Sequence, residues 1–183
     1  MSKIKRKREE NVLVKNDSDN SVFNQFCTQF LCGMSERMRE SYSKSELKVF
    51  LKDRFIFFKE AVSRSGMVRV VLHKMPSNLH EKLYYAENII IEIVSPDAPF
   101  IVVTVEALLR QLEIMIHRKL HPILGVRLTA DDEILGVVSP VEKSEKFDHL
   151  YLEIDADADI VSLKRIENLI AGHMLAVQLV QNQ

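Results

Sequence analysis

The stretch that most constrains the fold is Asn88 to Val94, an apolar, β-branched run reading Asn-Ile-Ile-Ile-Glu-Ile-Val, which ends at Ser95-Pro96-Asp97-Ala98-Pro99. A run of this length bounded by turn-formers reads as a buried, central strand. Beyond the turn, a helix is expected over 100–112. Asp97 is placed to cap the exposed amides and Pro99 to sit in the first helical turn, where its missing N–H costs nothing. The chain is thereby committed to a strand and a helix that cover one another.

Elements on either side of this unit follow from changes of period. Phe23, Phe26, Cys27, Phe30, Leu31 and Met34 recur at helical spacing, and Gly33 loosens or ends that helix. Ser43-Lys44-Ser45-Glu46 has the spacing of a capping box and opens a second helix, whose apolar set Leu47, Phe50, Leu51, Phe55, Phe58, Ala61 and Val62 runs to Ser65-Gly66. The phenylalanine stripe is read as core. After Gly66 the period falls to two, with Val68, Val70 and Leu72 on one face of a strand. Residues 76–87 form a connection.

Downstream, strands are expected over 115–128, broken or bulged near Pro122, then over 133–138 after the Asp131-Asp132 turn, then over 149–155. The last two are expected as antiparallel neighbours. Ile160, Leu163, Ile166, Leu169, Ile170, Met174 and Val177 mark a final helix starting from Asp159, with Gly172 as its weak point. Each helix offers one apolar stripe, so the expected fold is α+β, an antiparallel sheet with helices on one face, preceded by two N-terminal helices and a strand. The domain plan is a polar tail over 1–20, a helical extension over 21–66 and an α+β domain over 67–183.

Composition narrows the function. The chain has 183 residues, 46% hydrophobic and 28% charged, which suits a folded domain with a real core, and its net charge of −1 offers no global field for nucleic acid or an anionic membrane. The basic cluster Lys3, Lys5, Arg6, Lys7 and Arg8 reads as a solvating tail, without the apolar segment of an export signal. Its two cysteines, Cys27 and Cys32, lie in an apolar helix without zinc or redox spacing and are expected as buried thiols in a reducing, cytoplasmic setting.

Three segments then carry a resemblance. Residues 88–102, with the Asp-x-Pro-Phe turn at Asp97 to Phe100, are similar to the strand and turn near the start of the large bacterial NAD-dependent glutamate dehydrogenases. Leu120-His121-Pro122-Ile123-Leu124-Gly125-Val126-Arg127 resembles that family's His-Pro segment, and Leu152-Glu153-Ile154-Asp155 its Ile-Glu-Ile-Asp strand. Tyr42 to Leu47 resembles the helix start upstream, so the similarity covers about residues 25–175. It implies an ACT-like, ferredoxin-like module of the regulatory N-terminal region, a class that binds amino acids or mediates subunit contacts. It also implies no catalytic residues here: the nicotinamide and glutamate domains of that family lie far downstream.

The residues agree, because this chain has five glycines and no glycine-rich strand-turn-helix fingerprint, so no bound cofactor is expected. The resemblance makes Asp97, Ala98, Pro99 and Phe100 the candidate ligand turn, where a helix N-terminus suits a carboxylate. It offers His121, Arg127 and Glu153 as effector or interface residues. The chain departs from the pattern at three places. Phe100 stands where many ACT modules have glycine, and is expected to fill the space a ligand would use; Val103 replaces an acidic residue, and Tyr151 a histidine.

Other chemistry finds less support. His117 and His121 share a face but lack a third ligand of suitable spacing, His149 and Asp155 being candidates only through the fold. Arg118, Lys119 and Arg127 read as solvated charges. Asp155, Asp157 and Asp159 lack the glycine and distal glutamate of a calcium loop. The expected partners are a second copy of the chain, the catalytic region of a glutamate dehydrogenase, or an amino-acid effector. The alternative is a free-standing ACT-like amino-acid-binding or assembly module.

Overall fold

The computed structural model describes residues 21–74, 87–154 and 160–181. The N-terminal tail, the connection around Pro76 and the acidic run Asp155, Asp157 and Asp159 lie outside the described residues. The fold is α+β, as the periodicities require, and its elements are gathered into two units: residues up to Lys59 with Leu124–Lys146, and Glu60–Ile123 with Phe147–Gln183.

The first unit holds helix α1 over 21–32, the short α2 (Glu36–Glu40), the part of α3 (Lys44–Ser63) that precedes Glu60, and the strands β4 (Ile123–Leu128) and β5 (Ile134–Val138). Phe26, Phe30 and Phe58 are fully buried, and the ring of Phe26 lies 5.3 Å from that of Phe55 and 5.2 Å from that of Phe58. The aromatic stripe is therefore core. The capping box forms as its spacing predicts: Ser43 N donates to Glu46 Oε2 at 2.8 Å, and Glu46 N donates to Ser43 Oγ at 3.3 Å. Between α1 and α3 the chain adds α2, which sequence periodicity had not marked, capped by Ser35 Oγ accepting from Met38 N. Gln25 of α1 accepts from Val137 N at 3.0 Å and so ties the β4–β5 hairpin to the helices.

The second unit holds an antiparallel sheet. Strands β1 (Met67–Lys74), β2 (Glu87–Pro96), β3 (Ile116–Leu120) and β6 (Glu145–Ile154) pair in antiparallel fashion, β2 lying between β1 and β6, and β3 on the other side of β6. Gly66, with φ 123°, makes the entry from α3 possible: its N–H returns to Ala61 O at 2.8 Å, and a Cβ there would lie 3.3 Å from Val94 O. The register sets Ile89 opposite Ile154, Ile91 opposite Leu152 and Ile93 opposite Leu150. These side chains meet Val105, Leu108 and Leu109 of α4 (Ile101–Gln111) and Leu163, Ile166, Ile170 and Met174 of α5 (Ile160–Gln181). Both helices thus cover one face, as expected.

The segment 115–128 is broken at His121-Pro122, as expected, because proline supplies no ladder donor. Three expectations need correction. Strand β5 pairs with β4, through Gly125↔Val138 to Leu128↔Ile134, instead of with β6. Helix α4 begins one residue later than expected, with Phe100 as N-cap at φ 75° and no side-chain cap; Pro99 precedes the helix and Asp97 does not cap it. Cys32 is exposed and Cys27 half-buried, so the two thiols are not both in the core.

Candidate functional site

Sheet alternation puts the chemistry of the second unit in two places. The first is the turn from β2 into α4. Here Asp97, Pro99 and Phe100 are exposed while Ala98 is buried. Phe100 has a left-handed backbone, φ 75°, and its side chain is 73% exposed.

Beneath the turn lies Asp148, 2% exposed at the start of β6. It has the parity of Leu150 and Leu152 and therefore sits on the helix-covered face, opposite Ser95. One carboxylate oxygen lies 3.5 Å from Ala98 N, which donates to it, and the other lies 3.1 Å from His121 Nε2. Asp148 thus links the predicted residues Ala98 and His121, which are 23 positions apart in sequence. His149 N donates to Pro122 O at 3.0 Å, fixing the break between β3 and β4 against β6.

The second place is the opposite face of the sheet, where Arg69, Glu92, His149, Tyr151, Glu153 and Arg118 form a polar row across the four strands. Glu92 and His149 are fully buried, Tyr151 is 1% exposed and Glu153 5%. Arg69 Nε donates to Glu92 Oε2 at 2.7 Å, while the other oxygen of Glu92 lies 2.6 Å from His149 Nε2. Next along the row, Tyr151 Oη donates to Glu153 Oε1 at 2.7 Å, and Arg118 donates to the same oxygen at 3.1 Å. The two carboxylates are each matched by an arginine at the partly exposed rim, the arrangement that buried charge requires. Tyr151, which stands where the family pattern has a histidine, supplies Glu153 with a polar partner through its hydroxyl.

The remaining candidates are placed as follows. Glu153 belongs to the polar row. Arg127 lies on β4 in the first unit, exposed. Lys119 is bound to Glu106 at 2.6 Å, so Arg118 and Lys119 are already matched by carboxylates and do not form an anion patch. Among the described residues no group of three metal-ligating side chains assembles, and no helix is long and apolar enough to cross a membrane.

Sequence reasoning missed Asp148 and the partnership of Glu92 with His149. A glutamate in the middle of Asn88 to Val94 was the available signal, because a carboxylate in a central strand must find a donor. The matching donors became visible only with the strand register.

Comparison with known proteins bears on the whole of this architecture. No curated protein and no solved structure matches the chain significantly. A family model does, described as the ACT1 domain of glutamate dehydrogenase, over residues 26–170, which takes in most of the phenylalanine helices, the sheet, the turn at Asp97 to Phe100 and the whole polar row. With a match over more than half of its length, one that includes the strand-turn-helix unit of the second unit, the chain belongs to the glutamate dehydrogenase ACT1 domain family.

Proposed function

We propose that this chain serves as a non-catalytic regulatory and interaction segment of an NAD-specific glutamate dehydrogenase of the large bacterial kind, working in the cytoplasm. The observation that carries the reading is the family match over 26–170. The chemistry of the buried groups supports it. Glu92, Glu153 and Asp148 are each held by a cation, a histidine or a backbone amide, so they are committed to holding strands together. A catalytic base needs a tuned carboxylate or imidazole facing a substrate space.

The effector class that suits the turn is a free amino acid. The first amides of α4 have no helical acceptor, and a ligand carboxylate at Asp97, Ala98, Pro99 and Phe100 would satisfy them. In this reading NAD and glutamate bind elsewhere in the enzyme, and this chain binds neither cofactor nor metal.

The test has two arms. The purified chain, incubated with glutamate and NAD, produces no NADH; turnover by the chain alone refutes the non-catalytic role. A thermal-shift screen of amino acids, followed by calorimetry, finds one that raises the melting temperature in proportion to its occupancy. No heat and no shift across the panel removes the effector part of the reading and leaves the interaction role.

A further inference from the structure

Helix α4 carries an apolar stripe that its own unit leaves uncovered. Phe100 is 73% exposed and Val103 63% exposed, and Ala107 and Arg110 are exposed on the same side. Positions 100, 103, 107 and 110 recur at steps of three and four, which stacks them along one side of the helix. That side is opposite the one formed by Ile101, Val105, Leu108 and Leu109, which is buried. Single exposed apolar residues are ordinary, but a Phe and a Val aligned on one helical face form a patch.

The charges flanking the stripe say what covers it. Asp97 lies just before α4 and Arg110 in its last turn, both exposed, and neither is held in an ion pair among the described residues. We propose that the stripe is the contact through which two copies of this chain associate, α4 lying antiparallel to the partner's α4 about a two-fold axis near Val103 and Thr104. A two-fold contact must be self-complementary, and this one is. With the axis there, Phe100 lies over the partner's Ala107, large against small, Val103 meets the partner's Thr104, and Asp97 approaches the partner's Arg110.

A parallel arrangement would set Asp97 against Asp97 and Arg110 against Arg110, so charge selects the antiparallel one. The contact is small: α4 has 11 residues, about 16 Å of helix, and its stripe falls short of the roughly 800 Å² per partner of a stable interface. The association is therefore weak, with a dissociation constant on the order of micromolar or above. Asp97 and Phe100 also belong to the proposed effector turn, but association is read without any amino acid present, so the inference does not rest on the effector reading.

The experiment is sedimentation velocity of the full chain over a wide concentration range, with four variants. The wild type moves from the 21.1 kDa monomer towards twice that mass as concentration rises. Val103→Glu, which places a charge near the axis, abolishes the shift. Asp97→Arg and Arg110→Asp, each setting like charges against one another, weaken association about tenfold. The double variant Asp97→Arg/Arg110→Asp restores it, which general damage to the fold would not do, and circular dichroism verifies that each variant is folded. A wild type that stays monomeric throughout overturns the proposal, since the stripe is then covered by other means or not at all. A dimer that ignores Val103→Glu, or whose charge variants show no rescue, overturns it as well.

Discussion

Replacing Glu92 by leucine tests whether the polar row is structural cement. Within the row the substitution removes the 2.7 Å bond from Arg69 and the 2.6 Å contact with His149. The two losses differ in cost. The Arg69 side chain is 23% exposed and can turn its guanidinium to water, whereas the side chains of His149 and Glu92 are at 0% and have no such recourse. Stranding a buried polar partner costs about 1–3 kcal/mol, and breaking a buried charged pair about 3–5 kcal/mol, so with Arg69 discounted the expected loss is about 3 kcal/mol. For a chain of this size that lowers the melting temperature by roughly 10 °C. Urea denaturation followed by far-UV circular dichroism reads the loss as a lower midpoint at unchanged slope. A companion variant sharpens the reasoning. Arg69→Met/Glu92→Leu/His149→Leu removes all three groups of this part of the row together, so it should lose less than the single substitution, as buried ionic groups replaced together often do. A loss below about 1 kcal/mol for Glu92→Leu, or a triple variant that loses more than the single, would refute the account.

Phe100→Gly should stabilise the chain by about 0.5–1 kcal/mol in the same assay, because φ 75° is costly for a phenylalanine and free for glycine, while a side chain 73% exposed gives up little burial. The same substitution should weaken self-association through α4, so stability and dimerisation move in opposite directions. Ser43→Ala removes one half of the capping box and should cost about 1 kcal/mol, with the loss confined to the helix that it opens. Burial pushes the Cys27 thiol up to about 11, so at pH 8 iodoacetamide should modify exposed Cys32 first, with Cys27 reacting faster as pH rises towards 11. The linkage has a definite sign: between the ordinary value of 9.0 and about 11 the unfolded thiol ionises before the folded one, so stability falls with rising pH across that window. Equal labelling of both cysteines at pH 8, read by peptide mass spectrometry, would contradict the burial.

The elements that sequence made visible are those whose signal is local. Asn88 to Val94 is central because every apolar side chain in it is needed on one face or the other, and the capping box at Ser43 to Glu46 forms from four consecutive residues. What escaped was set at a distance or ran against propensity. Helix α2 has five residues, too few to show a period, and depends on the Ser35 cap. The pairing of β5 with β4 is the short hairpin across Asp131-Asp132, the nearer of two partners that alternation alone does not separate. The left-handed Phe100 was invisible because phenylalanine argues against that conformation, and only the geometry of the turn requires it.

The site divides along the same line. Ala98 and His121 stand on the segments that resemble the family, yet what joins them is Asp148, whose role depends on its parity in β6. Its alternation with Leu150 and Leu152 was legible, and a carboxylate on the core side of a strand end must meet a donor. Which donor it meets depends on how β6 lies against β2 and β3, and no local pattern encodes that. The polar row repeats the lesson at larger separation, since Glu92 is 57 residues from His149 and Glu153 is 35 from Arg118. A buried carboxylate in this sheet is therefore also a register marker. Sliding β6 by one residue against β2 would carry Tyr151 and Glu153 onto the helix face and bring Leu150 and Leu152 to Arg69 and Arg118. The row penalises that slip through unsatisfied charge, while the isoleucine and leucine core penalises it through lost burial, and the two faces specify the same alignment.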